Sequence, residues 1–527
     1  MREQIPIVEG WLDNREGMDI KVEVDKMGRE ARIRFVNRKQ TFLREVDVER
    51  LVGEDHEARA IWELLGNIDL SKYYEGIKAV EGVAGCPATD PRVLISLWIY
   101  SYSKGISSAR EISRLCEYDP GYQWLTGMEE INYHSLSDFR VEHAEALDGL
   151  FRDVLGVLSG EGLVSLERVM QDGTKVKANC GSDTFRREDT IIEHLKMAEE
   201  QVRVMEEKSE EEISDRVAKA RERAVRERKQ KLELATKELE KIREGKRNKE
   251  EKEEARVSMT DPEARIMKES NGGYGPGYNL QIETESKNKI IVGAKLTQSR
   301  SDYVELADGA ETVEKNTGEA PKQVVVDAGF VSRENIVEMG ERGIDLIAPI
   351  PDGQSKSIMQ LERRGVEVEF YPDKFRYDET SETMTCPAGK ILKYEGTEKI
   401  PGRTNYSYRA GASDCEGCAL KEKCCPQNNG RGRAVVRSVD HPAVIAFVEK
   451  MKTEEAKAIY KKRAEVAEFP NAWIKSKIGL RQFRLRGLMK AAIEALWACV
   501  TYNIQQWIRL CWRPKIAKIV MQNQTSG

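Results

Sequence analysis

No run of eighteen apolar residues occurs in the chain, so no membrane-spanning helix and no membrane partner is expected. The first residues, Met1 to Pro6, lack the apolar core of a secretory signal, which predicts a cytoplasmic protein. An excess of positive charge is missing as well. The formal net charge is −5, which excludes a uniformly basic nucleic-acid binder but leaves room for local basic faces. What is present is a composition suited to water, with 33% charged and 40% hydrophobic residues. A length of 527 residues exceeds what one core holds, so three or more structural units are expected. In a reducing compartment the ten cysteines are expected to hold metal where they cluster rather than to form disulfides.

Residues 19–36 alternate apolar and polar around Asp25-Lys26-Met27-Gly28, which predicts a β-hairpin within an extension over 1–50. A helical domain follows over 51–160. Asp90-Pro91 is an N-cap and first-turn pair, Leu94, Leu97, Trp98 and Tyr102 keep helical spacing, and a helix over 107–117 is stopped by Asp119-Pro120-Gly121. Short helices and tight turns suit a DNA-binding unit of helix-turn-helix type and suit any small helical domain equally well.

Between 161 and 350 strand signals dominate, interrupted by a charged segment over 186–257. Val169 to Ala178 delivers Asp172 into a Gly-Thr turn, followed at once by Lys175 and Lys177. An aspartate before glycine is by itself a turn residue more often than a catalyst. In the charged segment Leu195, Ala198, Val202 and Met205, and later Leu232, Ala235, Leu239 and Ile242, fall at three- and four-residue steps. That predicts two coiled-coil arms with a turn at 206–212 and an end at Gly245. Strands are expected over 278–285 and 289–295, with the glycine-rich Gly272 to Gly277 as a flexible lead-in. The β-branched run before Asp327-Ala328-Gly329 reads as a buried parallel strand, whose carboxyl end is where open α/β sheets carry their chemistry.

Five cysteines gather over 351–445. Cys415 and Cys418 form a two-residue knuckle, which Cys386 and either Cys424 or Cys425 complete as a structural zinc site of four thiolates. From Lys461 to the end thirteen basic residues face Glu465, Glu468 and Glu494 alone, so this segment, with the last helices over 446–527, supplies a basic surface. Glu468 shares a helix face with Asn471 and Lys475, and Pro470 is expected to kink or restart that helix. A final amphipathic helix is expected over 487–509.

An aspartate on the first strand, a second on the fourth and a glutamate on a later helix follow the layout of an RNase H-like α/β fold. Three converging carboxylates repel one another and require divalent cations, and two such ions about 4 Å apart clamp the attacking and leaving oxygens of an in-line phosphoryl transfer. The chain resembles the DDE transposases of insertion sequences. The residues that carry the likeness are Asp172-Gly-Thr-Lys-Val-Lys-Ala, Tyr278-Asn-Leu-Gln281, Asp327-Ala-Gly, Tyr460-x-x-Arg463 leading to Glu468 and Lys475, Arg486-Gly-Leu and Tyr502-Asn503. The resemblance implies that Asp172, Asp327 and Glu468 hold Mg2+ or Mn2+, and that Tyr460, Arg463 and Lys475 contact DNA near the cut phosphate. Lys175, Lys177, Arg481, Arg484 and Arg486 extend the expected DNA surface. Asn471 stands where an aromatic residue is frequent in such enzymes, and Glu465 is therefore retained as an alternative acid.

The function expected is binding of terminal inverted repeats, metal-dependent strand cleavage and strand transfer into target DNA, by a nucleoid-associated homodimer. Two rivals stand beside it: a nuclease of the same fold that only hydrolyses, and a non-catalytic DNA-binding descendant of a transposase.

Overall fold

The structure is a computed structural model that describes residues 41, 45–77, 79, 87–206, 216–269, 272–350, 354–427 and 430–525. The hairpin expected over 19–36 and the arm-to-arm turn expected over 206–212 fall, apart from Glu206, outside the described residues.

Capping chemistry sets the helical region. Helices α1 (Glu57–Gly66), α2 (Pro91–Ser103), α3 (Ala109–Tyr118), α4 (Pro120–Thr126), α5 (Tyr133–Glu142) and α6 (Ala144–Gly160) fill it. Asp90 accepts the Arg92 amide at 2.8 Å, and its proline occupies the first turn, where no amide donor is required. Asp119-Pro120 differs from expectation. It ends α3 but also starts α4, because the Asp119 carboxylate accepts the amides of Gly121 and Tyr122.

The central sheet is built around β1 (Val169–Lys177). Along its whole length β1 pairs antiparallel with β3 (Tyr274–Glu285), from Val169 opposite Glu285 to Lys177 opposite Gly277. On its other side Val169 and Met170 pair in parallel with β5 (Gln323–Val325), and β5 pairs in parallel with β6 (Asp345–Ile347). Strands β2 (Arg265–Lys268) and β4 (Ile291–Thr297) share the far edge of β3. The order across the sheet is therefore β4-β3-β1-β5-β6, three antiparallel strands followed by two parallel ones. The lead-in expected at 272–277 is mostly strand. Gly277 allows it, since a Cβ there would stand 2.8 Å from the Val176 carbonyl of the neighbouring strand.

Alternation of side chains divides β1 between two cores. Val169 joins the core shared with the N-terminal helices and with α14 (Leu488–Trp507), whereas its neighbour Met170 joins the core on the opposite face. That second core takes α9 (Leu306–Thr317), α10 (Arg333–Glu341), α11 (Pro442–Lys452), α12 (Glu454–Lys461) and α13 (Arg463–Ser476). Helix α13 runs through Pro470 without a restart.

The charged segment forms α7 (Glu188–Glu206) and α8 (Arg216–Glu244), which pack on each other. Arg243 reaches Glu188 at 2.6 Å and Arg228 meets His194, so the two helices run antiparallel. A buried ion pair between Glu238 and Arg265 ties α8 to β2. Strands β7 (Arg376–Asp378), β8 (Thr383–Thr385), β9 (Ile391–Ile400), β10 (Arg403–Ala410) and β11 (Ala434–Asp440) make a separate antiparallel sheet with its own small core. Among the described residues, no helix is long and apolar enough to cross a membrane.

Candidate active site

Asp172 stands on the central strand, where its neighbours bury it. Burial pushes its carboxyl up to about 6; Arg463 opposes that rise, and the charges of Asp327 and Asp302 add to it. Two residues of α13 touch it. Asn471 donates from Nδ2 to Asp172 Oδ2 at 3.0 Å, and Arg463 stands 3.6 Å from Oδ1. Asp327 follows the end of β5, the strand beside β1, and accepts the Gly329 amide at 2.8 Å. The carboxyl end of a parallel strand thus carries the second acid, as open sheets of this kind arrange their chemistry.

Glu468 is exposed on α13, three residues before Asn471 and seven before Lys475, on the face those two share. Lys475 is close enough to Asp172 to feel its charge. Burial lowers the Lys475 ammonium pKa, Asp172 raises it, and Arg481 and Lys175 lower it further. Glu465, the alternative acid, forms a 3.0 Å ion pair with Lys289 on the turn between β3 and β4. Tyr460 packs against the second core at the end of α12.

Lys175, Lys177, Lys475 and Arg481 line one open groove with the Gly275-Pro276-Gly277 backbone. Two of these bases have acidic partners, Lys175 with Asp302 at 3.0 Å and Lys177 with Glu269 at 3.2 Å. Arg484 donates to Ser107 Oγ and Arg486 to the Asn179 carbonyl, so both are tied into the scaffold while remaining exposed.

Sequence reasoning missed the residues that hold this loop of bases. Buried Glu494 accepts the amides of Arg484 and Leu485 at 3.0–3.2 Å. Asp261 accepts Tyr278 Oη and the Gly487 amide, and Glu263 accepts the Leu488 amide. Gly487 has φ +86°, a conformation that favours glycine, which explains the Arg486-Gly-Leu motif. Tyr502 and Asn503 are likewise scaffold. Tyr502 Oη donates to the Lys289 carbonyl, and the Asn503 side chain bonds both the amide and the carbonyl of Ile291 at 2.9 and 2.8 Å. Together they fasten edge strand β4 to α14.

Among the described residues, no three Cys, His, Asp or Glu side chains stand at metal-ligating spacing. The donor chemistry around Asp172 nevertheless suits a hard cation. Carboxylates from separate elements converge there, and the carbonyl oxygens of Asn279, Gln281 and Asn471 are buried without a hydrogen-bond partner. In the insert, Cys386, Cys415, Cys418, Cys424 and Cys425 line one cavity. The Lys390 amide donates to Cys386 Sγ at 3.2 Å and the Arg433 amide to Cys415 Sγ at 3.3 Å, while burial pushes the thiols of Cys415 and Cys424 up, Cys424 to about 12, so only a bound cation would hold them as thiolates. That donor set fits zinc.

Two family models match the sequence: residues 46–142 match the family described as "Transposase domain (DUF772)" and residues 385–508 match "Transposase DDE domain". No curated protein matches the chain. A solved structure of piggyBac transposase, in a synaptic complex with hairpin DNA, is similar at 9% identity and a TM-score of 0.32, covering 86% of this chain and 75% of that one. The second matched stretch contains Glu468 and Lys475 together with Arg463 and Asn471, the two residues that touch Asp172, and the first contains most of the N-terminal helices, so the chain is similar to transposases at both places.

Proposed function

We propose that the protein binds the terminal inverted repeats of its element as a homodimer, cuts DNA at the element ends and joins the freed 3′-hydroxyl to target DNA. One observation carries the reading. Asp172 on the central strand and Asp327 off the adjacent parallel strand are coupled through their charges, and Asp172 is touched by the helix that bears Glu468. The strand order β4-β3-β1-β5-β6 supports the RNase H-like assignment.

Asp172, Asp327 and Glu468 are the residues that would hold Mg2+ or Mn2+. When bound, such ions activate the attacking hydroxyl and stabilise the leaving oxygen. The chain's own groups do the rest. Arg463 and Asn471 orient the Asp172 carboxylate, and the Lys475 ammonium stands beside it as a phosphate contact. Lys175, Lys177 and Arg481 line the groove that would take the DNA backbone, and Arg484 and Arg486 extend it. Tyr460 is assigned to the same DNA contact through its place before Arg463. Cys386, Cys415, Cys418 and Cys424 are assigned to a structural Zn2+ that fastens the insert, with Cys425 as the adjacent alternative. The antiparallel helices α7 and α8 are assigned the role of a projecting coiled coil.

Purified protein, incubated with Mg2+, labelled element ends and a plasmid target, should give cleaved ends and joined products. Cleavage without joining would reduce the reading to a nuclease. DNA binding with neither product would leave a non-catalytic descendant.

A further inference from the structure

Asp302 lies in the loop between β4 and α9, where sequence alone marks nothing more than a loop acid. Three donors converge on its Oδ1: Lys175 Nζ at 3.0 Å and the side-chain amides of Asn279 and Gln281 at 2.8 Å each. Three bonds to one oxygen fix the carboxyl plane. Its other oxygen faces the second acid of the site. A Cβ placed on Gly329 would stand 3.8 Å from Asp302 Oδ2 and 3.0 Å from Asp327 Oδ1, so two carboxylates from two loops flank one glycine-sized gap.

An independent observation concerns the amides that hold Asp302 and Asp172. Asn279 is 0% exposed and Gln281 1%, yet Asn279 Oδ1 and Gln281 Oε1 have no donor, and neither has Oδ1 of Asn471, whose amide holds Asp172. Buried carbonyl oxygens are normally satisfied. Acceptors without donors beside carboxylates are what a hard divalent cation and its water shell require. Gly173 keeps these groups close to β1, since a Cβ there would meet Asp302 Oδ1 and Gln281 Nε2 at 2.5 Å.

We propose that Asp302 is a fourth carboxylate of the site and takes up, through Oδ2, a divalent cation shared with Asp327. The proposal rests on the metal-dependent reading above and extends it to a residue outside the acidic triad. Lys175 is the internal cation that balances Asp302 until a metal ion enters.

The test is a Mn2+ titration of the full-length protein by calorimetry, with free Mn2+ counted by electron paramagnetic resonance. Asp302→Asn keeps an acceptor oxygen for its three donors and removes the charge, and it should bind Mn2+ at least tenfold more weakly than the wild type. Gly329→Ala fills the gap with a methyl group, keeps its own amide donor, and should show the same loss even if Asp302→Asn fails to fold. Wild-type Mn2+ affinity in a folded Asp302→Asn, or in Gly329→Ala, overturns the proposal. Asp172→Asn separates the two levels of the argument. If it loses Mn2+ while Asp302→Asn does not, the metal reading stands without Asp302. Should Asp172→Asn also bind like the wild type, the metal reading itself falls.

Discussion

Replacing Asp172 by asparagine should stabilise the protein while abolishing its DNA cleavage. The carboxyl is pushed by burial up to about 6, against about 3.9 for an exposed aspartate. A shift of about two units corresponds to ~3 kcal/mol between the two protonation states. The folded protein therefore holds this proton more tightly than the unfolded chain. The stability it contributes is full below pH ~4, falls as pH rises through about 6, and is absent above that. Asparagine mimics the protonated form, so in EDTA at pH 8 the variant should gain up to ~3 kcal/mol over the wild type. At pH 4.5 the gain should shrink by more than half. Urea unfolding of both proteins at the two pH values measures this directly, and cleavage of labelled element ends in Mg2+ measures the accompanying loss. If the variant is no more stable at pH 8, or gains equally at both pH values, the argument that burial strains the Asp172 charge is wrong.

Other expectations concern the scaffold and the basic surface. Asn503→Ala strips both polar groups of Ile291 of their partner and should lower stability by ~2–4 kcal/mol in urea unfolding, whereas a purely catalytic residue would leave it unchanged. Gly487→Ala forces a side chain into a backbone region that glycine favours, φ +86°, and should cost about 1–3 kcal/mol and weaken DNA binding by displacing the Arg484–Arg486 loop; a neutral effect on both would refute this. Lys475→Ala should weaken duplex binding at every sequence tested and reduce the slope of log affinity against log salt by about one, read by fluorescence anisotropy. Removing bound metal with a zinc chelator should lower the melting temperature of the insert sheet, and simultaneous Cys415→Ser and Cys418→Ser should abolish that response.

Local chemistry made much of this molecule readable from its residues. Asp90-Pro91 is a cap wherever the chain is folded, and the apolar runs ending at Asp172 and Asp327 are strands because β-branched and apolar residues pack a buried sheet. The turn chemistry of Asp119-Pro120-Gly121 was equally clear, but whether such a turn ends one helix or also begins the next depends on what packs beyond it. Pro470 sits inside a continuous helix because α13 is held between the sheet and the second core, and that support overrides the local preference to break.

The order of the acids along the chain, and the spacing of the cysteines, needed only the sequence. Covalent order and residue type are local properties, and they suffice to say that carboxylates on successive strands are candidates for one site. Only the tertiary structure decides which other groups arrive there. Asp302 is 130 residues from Asp172 in sequence and reaches it because the hairpin of β3 and β4 folds back beside β1. Asn471 touches Asp172 from a helix 299 residues away. Tyr502 and Asn503, which carry part of the family likeness in sequence, clamp an edge strand, because the backbone groups they satisfy belong to another element. Long-range proximity is set by packing and hydrogen-bond demand across elements, and no pattern within a single stretch encodes it.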